Sequence, residues 1–206
     1  MTSRAHLVVL PLLLGFAAIG AARAAGPSPG EDNALIDGQA GVGARGRIAV
    51  NQAAGSGNAQ SNLAAIAIST SGTGQVGLQA RQQPFAGPRD RAASAQLQGG
   101  AFSGSQGLLS INQVAGSGNA QANLFAVGQH VGPTDVVLAG LDDSALASVT
   151  GDSASGQPAA PPVTRDARIG DGAFRGSQGV VQLNQTAGVG NLSTNAIVLQ
   201  LPGGTP

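Results

Sequence analysis

Asparagine spacing is the feature that most constrains how this chain folds. Ten Asn occur in the 206 residues, and nine of them fall at three equivalent positions of a frame that occurs three times. The frame reads Asn-Gln-x-Ala-Gly-x-Gly-Asn-x-x-x-Asn, and its copies begin at Asn51, Asn112 and Asn184. Because self-similar units are typical of stacked architectures, we expect three copies of one unit, joined by segments of unequal length.

Each unit predicts a strand, an arc and a second strand. Its first arm alternates apolar and polar residues with the period of two that a β-strand shows. Ala-Gly-x-Gly follows, and paired glycines supply the positive φ that a tight reversal needs. The arc glycines are Gly55, Gly57, Gly116, Gly118, Gly188 and Gly190. An amphipathic helix is the alternative, but each Gly within a helix costs about 1 kcal/mol.

Amide side chains recur at equal places in the three units. In units stacked in register, equal residues lie about 4.8 Å apart and their amides hydrogen-bond along the stack. Charge is almost absent from the strands, with Arg47 as the exception, and in-register stacking requires this because like charges repel. The expected stacking ladder comprises Asn51, Gln52, Asn58, Asn62, Asn112, Gln113, Asn119, Asn123, Asn184, Gln185, Asn191 and Asn195.

Large apolar side chains also recur at period two in both arms. We expect them to form parallel columns on the inner face of each arc, where their burial stabilises the stack. The expected columns comprise Ile48, Val50, Ile66, Leu109, Ile111, Phe125, Val127, Val181, Leu183, Ile197 and Leu199.

The predicted fold class is all-β. Three strand–arc–strand repeats stack as a small β-solenoid or cross-β unit, and linkers rich in Gly, Ser, Pro and Gln join them. The expected boundaries are a signal peptide 1–24, an N-terminal segment 25–40, repeat 1 at 41–68, a linker 69–100, repeat 2 at 101–128, a linker 129–172, repeat 3 at 173–201 and a tail 202–206.

The first residues resemble a secretory signal peptide. Arg4 and His6 precede an apolar run, and Ala22-Arg23-Ala24 has small residues at the positions that signal peptidase reads. A membrane anchor is the alternative, but the run is shorter than the roughly 20 residues that a membrane span needs. We therefore expect secretion by way of the periplasm to the outer cell surface or beyond, with no integral span after processing.

Several classes of chemistry are excluded by residues that the chain lacks. The sequence contains no Lys and no Cys, so it has no Walker-type lysine, Schiff-base lysine, thiol nucleophile, disulfide or thiolate metal site. It also lacks the basic, aromatic patch that nucleic-acid binding requires. We expect no catalytic residues, no cofactor and no metal, and so no enzyme.

The repeats resemble a known class of proteins. Three imperfect repeats with variable linkers behind a signal peptide resemble the Fap fibril subunits of bacterial functional amyloids, and Gln113 to Asn119 is similar to the curlin repeat of curli. The resemblance implies passage through an outer-membrane export channel, self-assembly into cross-β fibrils with other fibril subunits, and a role in adhesion or biofilm matrix. The chain lacks the Cys-x-x-Cys pair common in Fap subunits and the tyrosines of curlin repeats.

Two functions are compatible with these features. The leading hypothesis is an exported, self-assembling structural protein: a fibril subunit or adhesin of a biofilm or surface amyloid. The alternative is a monomeric cell-surface β-solenoid that uses a flat Asn and Gln face to bind polysaccharide.

Overall fold

The computed structural model describes five parts of the chain: residues 30–68, 76–85, 90–130, 137–141 and 163–202. The expected signal peptide, 1–24, lies outside the described residues. Within them every regular element is a β-strand and there is no helix. The all-β prediction is therefore confirmed.

Eleven strands occur in the described residues. They are β1 (Glu31–Ile36), β2 (Arg45–Ala54), β3 (Ala59–Ile68), β4 (Val76–Ala80), β5 (Ala92–Leu97), β6 (Gln106–Ser117), β7 (Ala120–His130), β8 (Val137–Leu141), β9 (Arg165–Ile169), β10 (Gln178–Val189) and β11 (Leu192–Pro202). All strand pairs are parallel, and they form sheet A (β1-β5-β9), sheet B (β10-β6-β2), sheet C (β11-β7-β3) and sheet D (β4-β8).

The register follows the sequence repeat along the whole unit. Asn51 pairs with Asn112, and Asn112 pairs with Asn184 in sheet B. The same offsets align Asp32 with Ala93 and Ala93 with Arg165 in sheet A. The chain therefore makes three layers, which we call layer 1 (β1–β4), layer 2 (β5–β8) and layer 3 (β9–β11), with layer 2 in the middle.

Strands also occur in segments that the sequence predicted as an N-terminal segment and as linkers. Strand β1 lies in the expected N-terminal segment, β4 and β5 lie in the linker 69–100, and β8 and β9 lie in the linker 129–172. Their inward side chains in sheet A are mostly small, such as Ala34, Ala93 and Ala95. Because Ala carries little hydrophobic signal, the alternation that marks these strands is weak in the sequence.

The main apolar core lies between sheets A and B. Its buried members are Ile36, Leu97, Ala101, Phe102, Leu109 and Ile111. The partly buried Ile48, Val50 and Leu183 pack against them. A second apolar cluster, with Leu63, Leu124 and Leu78, lies between sheets C and D. The four sheets are therefore packed face to face in the order A, B, C, D.

The first-arm apolar columns face the other way from the expected direction. Ile48, Leu109 and their equivalents point toward sheet A, outside the arc, and the asparagines of the same strands point toward sheet C. Alternation separates the two faces of a strand, but it does not say which face meets the second arm. The missing partner was sheet A, whose strands lie in the expected N-terminal segment and in the two expected linkers. The second-arm residues Phe125 and Val127 share the inward face of Asn123, as expected from their spacing.

A tight turn joins sheets A and B in each layer. Phe102 and Phe174 occupy it with φ of 59° and 58°, and their rings stack with centroids 5.6 Å apart. Layer 1 has Gly41 at the same position, and a Cβ there would collide with the ring of Phe102. The absence of a third Phe in the first repeat thus makes room for the ring above it.

Candidate assembly site: amide ladders and two open ends

Two asparagine columns run through all three layers between sheets B and C. The amide Nδ2 of Asn112 donates to Oδ1 of Asn51 at 2.9 Å, and Nδ2 of Asn184 donates to Oδ1 of Asn112 at 3.0 Å. The facing column repeats this, with Asn123 donating to Asn62 at 2.9 Å and Asn195 donating to Asn123 at 3.0 Å. Each column is a continuous chain of amides along the stack.

The two columns are also joined across the arc. Within each layer the second-arm Asn donates to the first-arm Asn: Asn62 to Asn51 at 2.9 Å, Asn123 to Asn112 at 3.0 Å, and Asn195 to Asn184 at 3.0 Å. Asn123 also donates to the backbone oxygen of Ile111 at 3.1 Å. Asn112 and Asn123 are fully buried. A polar interior of this kind is stable because each buried amide is saturated with partners.

A glutamine column ties sheet B to sheet A. Nε2 of Gln113 donates to Oε1 of Gln52 at 2.8 Å, and Nε2 of Gln185 donates to Oε1 of Gln113 at 2.8 Å. Gln113 also donates to the backbone oxygens of Ala34 and Gln96, at 3.1 and 2.8 Å. These bonds hold the sheet A strands in line with the repeat, so the predicted ladder residues include the groups that position the unpredicted strands.

A third asparagine column lies at the arc. Nδ2 of Asn119 donates to Oδ1 of Asn58 at 2.9 Å, and Nδ2 of Asn191 donates to Oδ1 of Asn119 at 2.8 Å. The backbone amides of Asn119 and Asn191 donate to the same oxygens, at 3.0 and 2.9 Å. These hydrogen bonds therefore fix the position of each arc relative to the arc of the neighbouring layer.

The arc glycines allow the layers to approach closely. Gly55, Gly116 and Gly188 have φ of 100°, 113° and 143°, where side chains are rarely tolerated. A Cβ on Gly55 would collide with the backbone oxygen of Gly116, and a Cβ on Gly116 would collide with that of Gly188. Glycine is required here by the spacing of neighbouring layers as well as by the turn.

Some residues at the site were not among the predicted ladder positions. Gln60 donates to Oε1 of Gln121 at 3.0 Å, between the asparagine columns and the arc. Gly46, Gly107 and Gly179 form another close column, in which a Cβ on Gly107 would collide with the oxygen of Gly46. The glycines recur in all three copies and Gln60 recurs in the second as Gln121, with Ser193 in the third, so aligning the copies position by position would have found both sets.

An ion pair between partly exposed Arg91 and buried Asp32 lies at the layer 1 end of sheet A. Nη2 of Arg91 lies 2.7 Å from Oδ1 of Asp32, which is only 5% exposed. The hydrogen bond to Asp32, and then its negative charge, raise the pKa of Arg91 above its ordinary value. Since the raised group is a base, its contribution to stability is present below its unfolded pKa and is lost only in strong alkali.

The two outer layers expose side chains that layer 2 buries. Leu109 is fully buried, while Val181, its neighbour in the same column, is 42% exposed in layer 3. In sheet C, Ile66 of layer 1 and Leu199 of layer 3 are 69% and 42% exposed, on either side of Val127. The first and last layers are sheet edges, and such edges carry backbone groups that await a partner strand.

The described residues also bear on metal binding and on membrane insertion. They contain no group of three or more His, Cys, Asp or Glu side chains that could hold a metal ion. They also contain no helix with the length and hydropathy of a membrane span.

The family model "Functional amyloid protein FapB/FapC family" matches residues 17–202, which include every described strand. No solved structure matches the chain.

Proposed function

Because the chain belongs to the functional amyloid protein FapB/FapC family, we propose that it is the exported subunit of an extracellular fibril that serves a biofilm or cell-surface matrix. Assembly proceeds by templated strand addition. The amide columns set the register of the incoming chain, and the apolar columns supply stability.

The observation that carries this proposal is the continuity of the columns up to both outer layers. Each ladder contains one residue per layer in the same register, and no strand among the described residues pairs with the outer side of the first or last layer. A further chain laid on either outer layer would extend the same hydrogen bonds. The stack of three layers is a short piece of a repeating structure.

The exposed apolar side chains favour the same outcome. Val181, Leu199 and Ile66 would be covered by another layer, as Leu109 is covered within the molecule. Burying such a side chain contributes about 1.5–3 kcal/mol. The strands also carry few charges, so stacking them brings few like charges together.

The polysaccharide-binding alternative requires an exposed amide face. Asn112, Gln113, Asn119, Gln121 and Asn123 are buried at 1% exposure or less, between sheets rather than on a surface. Their hydrogen-bonding groups are used by one another and by the backbone. No observation favours glycan binding over assembly.

Fibrillation of the purified chain 25–206 tests the assembly proposal. We expect growth of thioflavin-binding fibrils that seed fresh protein and give a cross-β diffraction spacing of about 4.7–4.8 Å along the fibril axis. A chain that stays monomeric at high concentration, or aggregates without this reflection, would contradict the proposal.

Export is tested on cells that produce the full chain. Surface labelling of intact cells with an antibody to 90–130 should reveal fibrils, and loss of the outer-membrane channel should abolish them. Removal of residues 1–24 should retain the protein in the cytoplasm. Surface fibrils from the chain without 1–24 would contradict the assignment of that segment as a signal peptide.

A further inference from the structure

The two open ends of the molecule are different and complementary. We propose that copies join head to tail, with layer 3 of one copy against layer 1 of the next in the register of the internal layers. Arg165 of one copy then lies beside Asp32 of its neighbour, and the fibril has two unlike ends. This inference rests on the proposed function and goes beyond it, because self-assembly alone does not specify the direction or the contact.

Charge is the first observation that supports this contact. Sheet A contains the column Asp32, Ala93, Arg165, which has an acid in layer 1, a neutral residue in layer 2 and a base in layer 3. If layer 3 is followed by a second layer 1, Arg165 and the next Asp32 become neighbours at the spacing of adjacent strands, about 4.8 Å. Joining two copies by their layer 1 ends instead would bring two acidic β1 strands together.

The environment of Asp32 is the second observation. Arg91 occupies Oδ1, whereas Oδ2 is buried and has no hydrogen-bond partner among the described residues. An unsatisfied buried carboxylate oxygen costs free energy, and a positive charge beside Asp32 on the open side of layer 1 would offset part of that cost. Asp32 lies against Gly55 in layer 1, and Arg165 lies against the equivalent Gly188 in layer 3.

The direction of the amide bonds is the third observation. In the columns of Asn51, Asn58, Asn62 and Gln52, the amide nitrogen of each layer donates to the amide oxygen of the layer below. Among the described residues, Nδ2 of Asn51 donates no hydrogen bond, and the amide oxygen of Asn195 accepts none. Layer 1 therefore offers donors and layer 3 offers acceptors. The Gln60 column runs in the opposite direction.

Gly46 and Gly188 make the head-to-tail direction of assembly testable, because each glycine faces one open end of the stack. A Cβ on Gly107 or Gly179 would collide with the glycine oxygen of the layer below, but a Cβ on Gly46 meets nothing within 4 Å. At the other end, the atoms nearest to a Cβ on Gly188 are in the side chains of Asn191 and Arg165, at 3.2 Å or more. In a head-to-tail fibril, however, each Cβ would collide with the backbone of the neighbouring copy. Gly46→Ala thus blocks the layer 1 end, and Gly188→Ala blocks the layer 3 end.

The experiment uses these two variants of the chain 25–206, alone and mixed. Each variant alone should remain monomeric, since every head-to-tail contact would include the blocked end. An equimolar mixture should form a dimer of one copy of each and stop there. Gly43→Ala is the matched control, since it has a similarly positive φ of 64° in layer 1 but its Cβ points into open space. It should form fibrils as the unchanged chain does.

Head-to-head assembly gives the opposite pattern. Gly46→Ala alone would dimerise through its open layer 3, Gly188→Ala alone would dimerise through its open layer 1, and either result overturns the proposal. If the unchanged chain forms no fibrils, the proposed function itself fails. Circular dichroism of each monomer shows whether the variant has kept its strands.

Disulfide trapping tests whether layer 3 of one copy contacts layer 1 of the next, without changing a glycine. Ala65 and Val198 lie in one column, on either side of Ala126 in layer 2, so within one copy they are about 9.6 Å apart, too far for a disulfide. The chain has no native Cys. In oxidised fibrils of A65C/V198C, head-to-tail contacts should give covalent multimers of many chains, while A65C or V198C alone should give none. Disulfide dimers of a single variant, or an unlinked double variant, would overturn the proposal.

Discussion

At the scale of the residue, the asparagines serve a purpose that a hydrophobic side chain could not. Asn112 donates to Asn51, Asn62 and the backbone oxygen of Ser61, and it accepts from Asn123 and Asn184. An Asn at each of these positions satisfies the next one, so the interior specifies register as well as stability. A slip of one residue would leave every amide in the column without its partners.

Replacing one ladder residue tests this at two positions of the same column. In the soluble monomer, Asn112→Ala should lower the free energy of unfolding by about 3 kcal/mol, because it leaves buried amides unpaired. Asn51→Ala, at the exposed end of the column, should cost about 1 kcal/mol. Chemical denaturation at a protein concentration too low for assembly measures both.

The fibril gives the complementary result. In the fibril, layer 3 of the next copy covers Asn51. Asn51→Ala and Asn112→Ala should therefore lower the denaturant midpoint of fibrils by similar amounts. If Asn51→Ala remained much milder than Asn112→Ala in the fibril, the column would not continue between copies.

At the scale of the element, sheet A covers the apolar face of sheet B and so gives each arc a packing partner. Without β1, β5 and β9, the apolar face of sheet B with Leu109 and Ile111 would be exposed to water. Leu97 of β5 is fully buried against that face. The strand is short and lies just before the second repeat, yet it provides the partner for the largest apolar cluster.

Truncating one side chain of β5 tests its importance. Leu97→Ala should lower the free energy of unfolding of the monomer by about 3 kcal/mol, from lost burial and the cavity that remains. Ile169→Ala is the matched control, because Ile169 lies in the same column but is 52% exposed. Its cost should be below about 1 kcal/mol. Equal effects in chemical denaturation would mean that β5 is not part of the core.

At the scale of the whole molecule, three layers leave two large unfinished surfaces. Layer 2 shows what a finished layer contains, since its ladder and core residues are almost all buried. Layers 1 and 3 carry the same types of residue in an exposed state. The free monomer therefore has two uncovered outer layers, and each copy added to the stack would cover one of them.

The charge at the junction predicts a salt dependence. Arg165→Gln should slow seeded elongation about fivefold at low ionic strength, equivalent to about 1 kcal/mol, and should make the rate nearly insensitive to salt. Arg165→Lys should retain most of the rate. Arg168→Gln is the control, because the layer 1 residue in its column is Leu35, which carries no charge. A comparable loss from Arg168→Gln would mean that the effect is not specific to the Asp32 column.

Much of the repeat architecture could be predicted from the sequence, because it depends on local chemistry. The paired glycines indicate where the chain turns, and the recurring Asn and Gln indicate which residues align. The spacing of Asn51, Asn112 and Asn184 is the same spacing that pairs the strands of sheet B. Scarce charge was likewise a property that stacking requires and that the sequence displays.

The tertiary structure alone decided which face of each strand meets which partner. Alternation in β6 separates Leu109 and Ile111 from Asn112, but both faces are buried, so the sequence cannot show that the asparagines turn into the arc. The Ala-rich strands of sheet A carry too little hydrophobic contrast to be recognised, although they cover the apolar face. The Asp32–Arg91 pair and the unlike ends arise only when layers are superposed. The sequence by itself determined the register, because register comes from matching like residues. The packing of each strand face depends on strands that are distant in the sequence, and only folding brings these strands together.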